Sequence, residues 1–390
     1  MKIALDGTLL GARFSGVERS VAQLLAHLPA AAAPDHELTV FVGEAFDEFV
    51  ATYHPDGLDP TERLRIVRTG VDNRIRAARI WFQQMVLPRL VEQCGADVFH
   101  GPAYICPVTM RRPRVVTVYD LISIDEPRFA TRANHWYYRL FLLAGVRRAQ
   151  RVIVPSAATR AALVARLPAV APRVVTIPLG VEERFFDRPP DESAIRERYR
   201  LPARYLLWVG NIEPKKNVGI LLEALRILRT QGADVPKLVL AGPLSWGTND
   251  LMRRFLAHGL HDRVQFLGRA PDADLPALYR GATGFLFPSL SEGFGLPPLE
   301  AMAAGVPVAA ANRASLPEVV GHAGLLVPAD DAAAWAQAMV SLTGDTHELV
   351  RRGVQRARRF RWEETARASL AAYAAAQAAG ENNHEQQARR

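Results

Sequence analysis

Cysteine is scarce: Cys94 and Cys106 are the only two in 390 residues. Two thiols build neither a disulfide framework nor a zinc cluster, and a reducing cytoplasm is the simplest home for them. Lysine is almost as rare, limited to Lys2, Lys215, Lys216 and Lys237. No apolar run approaches the ~20 residues that span a bilayer; Leu140–Val146 comes nearest and stops at Arg147-Arg148. The chain begins on a strand pattern, Met1-Lys-Ile-Ala-Leu-Asp6, without the basic-then-apolar leader of a secretory signal. The first helix is not preceded by G-x-G-x-x-G, and G-x-x-x-x-G-K-[ST] occurs nowhere, which removes the usual marks of dehydrogenases and P-loop NTPases. No His, Cys, Asp or Glu cluster has metal-ligand spacing, and no Asp-x-Asp triplet is read as a metal–nucleotide holder. Neither a metal nor another cofactor is expected.

What is present is an ordinary soluble composition, 49% apolar and 23% charged, on a chain long enough for two domains. The net charge of +8 is unevenly spread: residues 51–200 carry 24 Arg and Lys against 15 Asp and Glu, while residues 301–350 carry one Arg against five acids. A second basic cluster runs from Arg351 to Arg361. Arginines taken singly read as a solvated face, but the collective excess in the first half suits peripheral contact with an anionic membrane surface. Nucleic acid is not an expected partner; binding it would need basic and aromatic residues on one face.

Two series of strands alternating with helices run along the chain, which implies an α/β architecture of two doubly wound parallel sheets. The first holds strands at Ile3–Leu5, Leu38–Val42, Arg65–Val67, Asp97–His100, Arg114–Tyr119, Arg151–Pro155 and Val174–Ile177, with helices at 17–28, 75–93 and 133–149. The second starts at Tyr205–Val209 and continues through strands at Lys237–Ala241 and Val264–Leu267, with helices at 217–230, 248–258 and 273–280. The Pro-, Arg- and acid-rich stretch 179–202 joins them. The expected division is 1–180, 181–361, a C-terminal helix over 362–379 returning to the first domain, and a disordered polar tail over 380–390. Two such domains place a ligand in a cleft between the carboxyl ends of their sheets.

The most informative segment is Pro288-Ser-Leu-Ser-Glu292-Gly-Phe-Gly-Leu-Pro-Pro-Leu-Glu300-Ala-Met-Ala-Ala-Gly305. An apolar strand, Gly284–Pro288, leads into a glycine-bearing loop and a short helix opened by Pro297 and Pro298 and stopped by Gly305. Glu292 falls in the loop and Glu300 in the helix's first turn. A helix N-terminus favours an anion, and an ionised carboxylate accepts hydrogen bonds from a vicinal diol. Gly293 and Gly295 around Phe294 let backbone amides come close to a ligand. A sugar joined to a nucleotide through diphosphate offers both diols and an anion.

This segment resembles the E-x7-E signature of retaining glycosyltransferase family 4, which has the GT-B fold. The match includes Phe294-Gly295, the helix from Glu300 to Gly305 and the strand that follows. Val209-Gly-Asn-Ile-Glu-Pro-Lys-Lys-Asn217 resembles the family's Gly-Arg-x-Glu-Pro-Arg-Lys loop, with Lys216 matching the family lysine and Asn211 replacing its arginine. Ser15-Gly16-Val-Glu-Arg19 resembles the family's Gly-Ile-Gly-Arg segment. The resemblance implies that Glu300 holds the ribose diol, while Glu292 with Gly293, Phe294, Gly295 and Leu296 holds the donor sugar. Lys215, Lys216, Asn211 and Gly16 would face the diphosphate, and Arg269 the base. Tyr119-Asp120 stands where relatives show His-Asp. Tyrosine is a poor base at neutral pH, so Asp120 is expected to orient a hydroxyl, with His100 at the same acceptor side. A retaining transfer needs no protein base, because the departing phosphate oxygen can take the acceptor proton on the same face. The resemblance leans toward mannosyltransferases of bacterial surface polysaccharide, with GDP-mannose as donor and a lipid-linked saccharide as acceptor at the cytoplasmic leaflet. A UDP-sugar donor and a non-hydrolysing sugar-nucleotide epimerase are the alternatives.

Overall fold

A computed structural model describes the chain except residues 12–14, 54–62, 73, 130–131, 189–191 and 389–390, and the side chains of 76, 132–134 and 383–388. It contains two compact units, Met1–Gly180 with Trp362–Arg390, and Val181–Arg361. Part of the joining stretch read from the sequence, residues 189–191, lies outside the described residues.

The first unit is a parallel sheet of β1 (Lys2–Asp6), β2 (Glu37–Val42), β3 (Leu64–Arg68), β4 (Val98–Gly101), β5 (Arg114–Thr117), β6 (Arg151–Val154) and β7 (Val174–Thr176). Its spatial order is β3-β2-β1-β4-β5-β6-β7. The second unit holds β8 (Tyr205–Val209), β9 (Lys237–Ala241), β10 (Val264–Gly268), β11 (Gly284–Phe287), β12 (Val308–Ala311) and β13 (Leu325–Val327), ordered β10-β9-β8-β11-β12-β13. Neighbouring strands in both sheets pair in parallel. Continuous apolar strands explain this choice: every residue of β8 is buried, as a sheet covered by helices on both faces requires. The strand order reverses between β1 and β4 in the first unit and between β8 and β11 in the second. Such switch points are where doubly wound sheets hold ligands.

Three expectations need correction. β5 ends at Thr117, so Tyr119 and Asp120 lie beyond the strand; the Asp120 carboxylate accepts from the Ile122 amide at 3.0 Å and turns the chain into a helix. The C-terminal helix runs from Trp362 through Ala388, so 380–388 is helical. The alanine-rich stretch before it has high helix propensity, and propagation costs less than nucleation. Asp272-Ala-Asp274 does have Asp-x-Asp spacing, but both carboxylates are buried and occupied. Asp272 pairs with Arg184, and Asp274 accepts from Arg198 at 2.9 Å and Tyr199 at 2.7 Å.

The C-terminal helix is fixed to the first sheet through His100. This ring is fully buried, with Nε2 2.9 Å from Thr117 Oγ1 and Nδ1 2.7 Å from the Tyr373 hydroxyl. Both nitrogens are therefore engaged inside the unit, and burial lowers the ring's pKa from 6.5 to about 3. Between those values the unfolded chain binds a proton that the folded chain refuses. Stability is thus full above about pH 6.5 and falls as pH drops toward 3, by about 1.4 kcal/mol per unit. Urea unfolding is expected to lose about 2 kcal/mol from this ring between pH 7 and pH 5, a loss that His100→Gln abolishes. An identical pH slope in the two proteins would contradict the burial of a neutral imidazole.

Candidate functional site

In the second unit the two loops that leave the switch-point strands carry the charged residues. The loop after β8 leads through a 3₁₀ turn, Pro214–Lys216, into the helix Val218–Thr230. Asn217 sits between them in the left-handed region, φ 54°, which asparagine tolerates better than most residues. Its side-chain amide donates to the carbonyls of Ala329 at 2.7 Å and Pro288 at 3.3 Å, which fastens this loop to the end of β11. The Leu290 amide donates to the Lys215 carbonyl at 2.8 Å and completes the seam.

Across that seam Lys216 Nζ lies 2.5 Å from Glu292 Oε1, with both side chains 14% exposed. Ser289 Oγ donates to the same carboxylate oxygen at 2.5 Å. Burial pushes the Glu292 carboxyl up. The Lys216 and Lys215 ammoniums, with hydrogen bonds from Lys216 and Ser289, outweigh that and hold it below the ordinary glutamate value. Lys216 also lies 5.3 Å from the centre of the Phe287 ring, and Lys215 pairs with Glu213 at 3.2 Å. Two adjacent lysines and an ionised carboxylate thus share one loop junction.

The Glu292–Gly295 loop is shaped from below. Ser315 Oγ lies 2.6 Å from the Phe294 carbonyl and 3.0 Å from that of Glu292, while the buried Phe294 ring meets Phe360 edge-on. Gly295, at φ 117°, caps the helix Leu296–Ala303; a Cβ there would fall 2.8 Å from Leu316, so only glycine fits. Leu296 is the half-buried first residue of that helix, and Gly293 is buried.

Glu300 is not in the helix's first turn. Gly295 is the cap, and Leu296, Pro297, Pro298 and Leu299 make the first turn, so Glu300 opens the second. It is 3% exposed and accepts from the Tyr279 hydroxyl at 2.9 Å. The two prolines also remove two of the four N–H groups that a helix start normally offers, so amide donation from the glycine loop gains weight. Asn211 and Arg269 are exposed on the loops after β8 and β10.

The remaining predicted site residues belong to the first unit. Gly16 is exposed and opens the helix Gly16–Ala31, whose start is closed by a Ser15–Glu18 capping box with Glu18 accepting from the Ser15 amide at 3.0 Å. Tyr119 is buried, burial and the neighbouring Glu18 push its hydroxyl pKa upward, and its backbone carbonyl accepts from Thr159 at 3.1 Å. Asp120 Oδ2 accepts from the Tyr104 hydroxyl at 2.9 Å. His100, as described, faces inward.

Sequence reasoning missed Ser289, Tyr279, Asn217 and Ser315. Ser289, three residues before Glu292, and Asn217, just before a helix, carry local signals. Tyr279 and Ser315 reach the loop through tertiary packing and carry none. Among the described residues no group of three His, Cys, Asp or Glu could hold a metal ion.

Two doubly wound units, the second with charged loops at its switch point, define a two-domain α/β class of protein. HepE from Anabaena, solved in complex with UDP and glucose, matches 95% of this chain and 98% of its own with a TM-score of 0.70 at 21% identity, and this likeness fixes the fold as GT-B. The profile described as glycosyl transferases group 1 matches residues 203–345, and that described as glycosyltransferase family 4 matches residues 14–185. O-antigen chain mannosyltransferase B of Escherichia coli is 33% identical over 282 residues, covering 71% of this chain and 74% of that protein. The serotype-specific mannosyltransferase WbdA of Escherichia coli is 28% identical over 323 residues, 80% of this chain but 40% of its own length. The chain belongs to glycosyltransferase family 4 and is a glycosyltransferase.

Proposed function

We propose that the enzyme transfers mannose from GDP-mannose to a lipid-linked saccharide, with retention at the anomeric carbon, at the inner face of the cytoplasmic membrane during surface polysaccharide assembly. The observation that carries the site assignment is the Lys216–Glu292 pair at the switch point of the second sheet. The likeness to O-antigen mannosyltransferases supports the choice of sugar and acceptor class. HepE's UDP and glucose support a second reading, a UDP-sugar donor.

In this reading Lys216, with Lys215 beside it, meets the diphosphate. As the bond from sugar to phosphate breaks, negative charge grows on the leaving oxygens, and a cation already fixed there lowers the barrier. Glu292 and the amides of Gly293–Gly295 take the hydroxyls of the donor sugar, and Ser289 holds the carboxylate in its rotamer. Glu300, oriented by Tyr279, takes the ribose diol, while Asn211 and Arg269 lie at the diphosphate and base ends. Asp120 in the first unit orients an acceptor hydroxyl. No side chain need act as base: the departing phosphate oxygen receives the acceptor's proton on the face where the new bond forms.

A thermal-shift panel of GDP-, UDP- and ADP-sugars tests the donor. GDP-mannose is expected to give the largest stabilisation, whereas a larger shift with a UDP-sugar would transfer the assignment to the second reading. Because lysine supplies the positive charge at the leaving group, transfer is expected to survive EDTA within about twofold. A rate abolished by EDTA and restored by Mg²⁺ would contradict this role for Lys216.

A further inference from the structure

Nine large hydrophobic side chains are exposed among the described residues, and five of them lie on two helical stretches of the first unit: Trp81, Met85, Trp136 and Leu140 within them and Ile75 at the cap of the first. Each stretch is a helix interrupted by a π turn: Arg76–Trp81, Phe82–Val86 and Leu87–Gln93 in one, Arg132–Tyr137, Tyr138–Leu142 and Leu143–Arg148 in the other. Trp81, Met85 and Arg89 follow at intervals of four, as do Trp136 and Leu140, so each set lies along one helical face. Exposed apolar patches of this kind mark interaction surfaces.

The two stretches pack against common elements. The loop between β4 and β5 touches both: the Val108 amide donates to Gln84 at 3.0 Å, the Tyr104 ring packs 5.3 Å from Tyr138, and Gly145 backs onto Cys106. Their inner faces share one apolar core through Phe82, Leu87, Leu142 and Leu143.

Charge selects the partner. No Asp or Glu occurs between Asp72 and Glu92, nor between Glu126 and Glu182. Arg89, Arg139, Arg147 and Arg148 are exposed, and none forms an ion pair among the described residues; the Arg139 guanidinium lies 5.5 Å from the Trp136 ring centre. Tryptophan beside arginine on an amphipathic face suits the headgroup layer, where an indole is half apolar and a guanidinium meets phosphate. Among the described residues no helix is long and apolar enough to cross a membrane, so contact here would be surface contact.

We propose that these two helical stretches form a docking face for an anionic lipid bilayer, with Trp81, Met85, Trp136 and Leu140 entering the headgroup region and the four arginines on lipid phosphates. The proposal rests on the reading of a lipid-linked acceptor, for which such docking would bring the enzyme to its substrate.

Co-sedimentation of the full chain with vesicles tests it without donor or acceptor, so failure of the mannosyl-transfer reading leaves this result intact. Binding to phosphatidylglycerol–phosphatidylethanolamine vesicles is expected to be at least ~10-fold tighter than to phosphatidylcholine, and to weaken about tenfold between 0.1 and 0.5 M salt. Trp81→Ser with Trp136→Ser should weaken it at least ~10-fold, while transfer to a water-soluble saccharide stays at the wild-type rate. Met85→Gln with Leu140→Gln repeats the test should the tryptophan pair prove necessary for folding. Arg139→Gln, Arg147→Gln and Arg148→Gln together should erase the lipid preference. Wild-type protein that ignores anionic vesicles, or variants that bind them as well as wild type, would overturn the proposal. So would a wild-type dimer, broken by the tryptophan changes, that does not sediment with lipid.

Discussion

Lys216→Ala is expected to lower kcat/KM for sugar transfer roughly 150-fold, about 3 kcal/mol of barrier. The magnitude follows from the position of the ammonium. It is largely buried, held 2.5 Å from Glu292 and backed by the Phe287 ring, so its charge is poorly screened and needs no rearrangement when the leaving group charges. A second effect has the same origin. The Lys216 ammonium is the main influence that offsets burial and keeps the Glu292 carboxyl below its ordinary value. Without it that carboxyl titrates higher, and the acid side of the pH–rate profile should move to higher pH in the variant. Lys216→Arg restores charge but not the compact fit, and should recover only part of the loss. A kcat/KM within threefold of wild type in Lys216→Ala would remove this residue from the mechanism.

Glu292→Gln should slow transfer about 100-fold while nucleotide affinity changes less than threefold. The glutamine keeps the shape but loses charge-assisted acceptance from the sugar hydroxyls, the stronger kind of hydrogen bond. It also leaves Lys216 without its nearest counter-charge. The separation of rate from binding is the informative part, since Glu292 is assigned to the sugar and not to the nucleotide. Equal losses in both, or in neither, would place the sugar elsewhere.

Much of this site was legible from the chain because it is local in sequence. Glu292, Gly293, Phe294 and Gly295 occupy one loop, and the paired lysines stand out in a protein that otherwise uses arginine. Parallel sheets followed from strands that alternate with helices along the chain. What escaped depended on contacts distant in sequence. His100 sits at a strand end, where side chains often face a ligand, yet it is sealed by Tyr373 from a helix 273 residues later. Nothing near His100 announces that partner. The first-turn placement of Glu300 failed by one residue, because the helix begins at Leu296, after its Gly295 cap, and the prolines do not themselves define the cap. The Asp272–Asp274 pair has the spacing of a metal–nucleotide holder, and only the arginines packed against it reveal a structural role.

The central claim, that the acidic and lysine-bearing loops of the second unit hold an activated sugar, is tested most directly by calorimetric titration of GDP-mannose into wild type and Glu300→Ala. Wild type is predicted to bind at one site, with Glu300→Ala weaker by roughly 10- to 100-fold, the cost of losing charged hydrogen bonds to a diol. Equal affinity in the two proteins, or no heat with any nucleotide sugar, would contradict it.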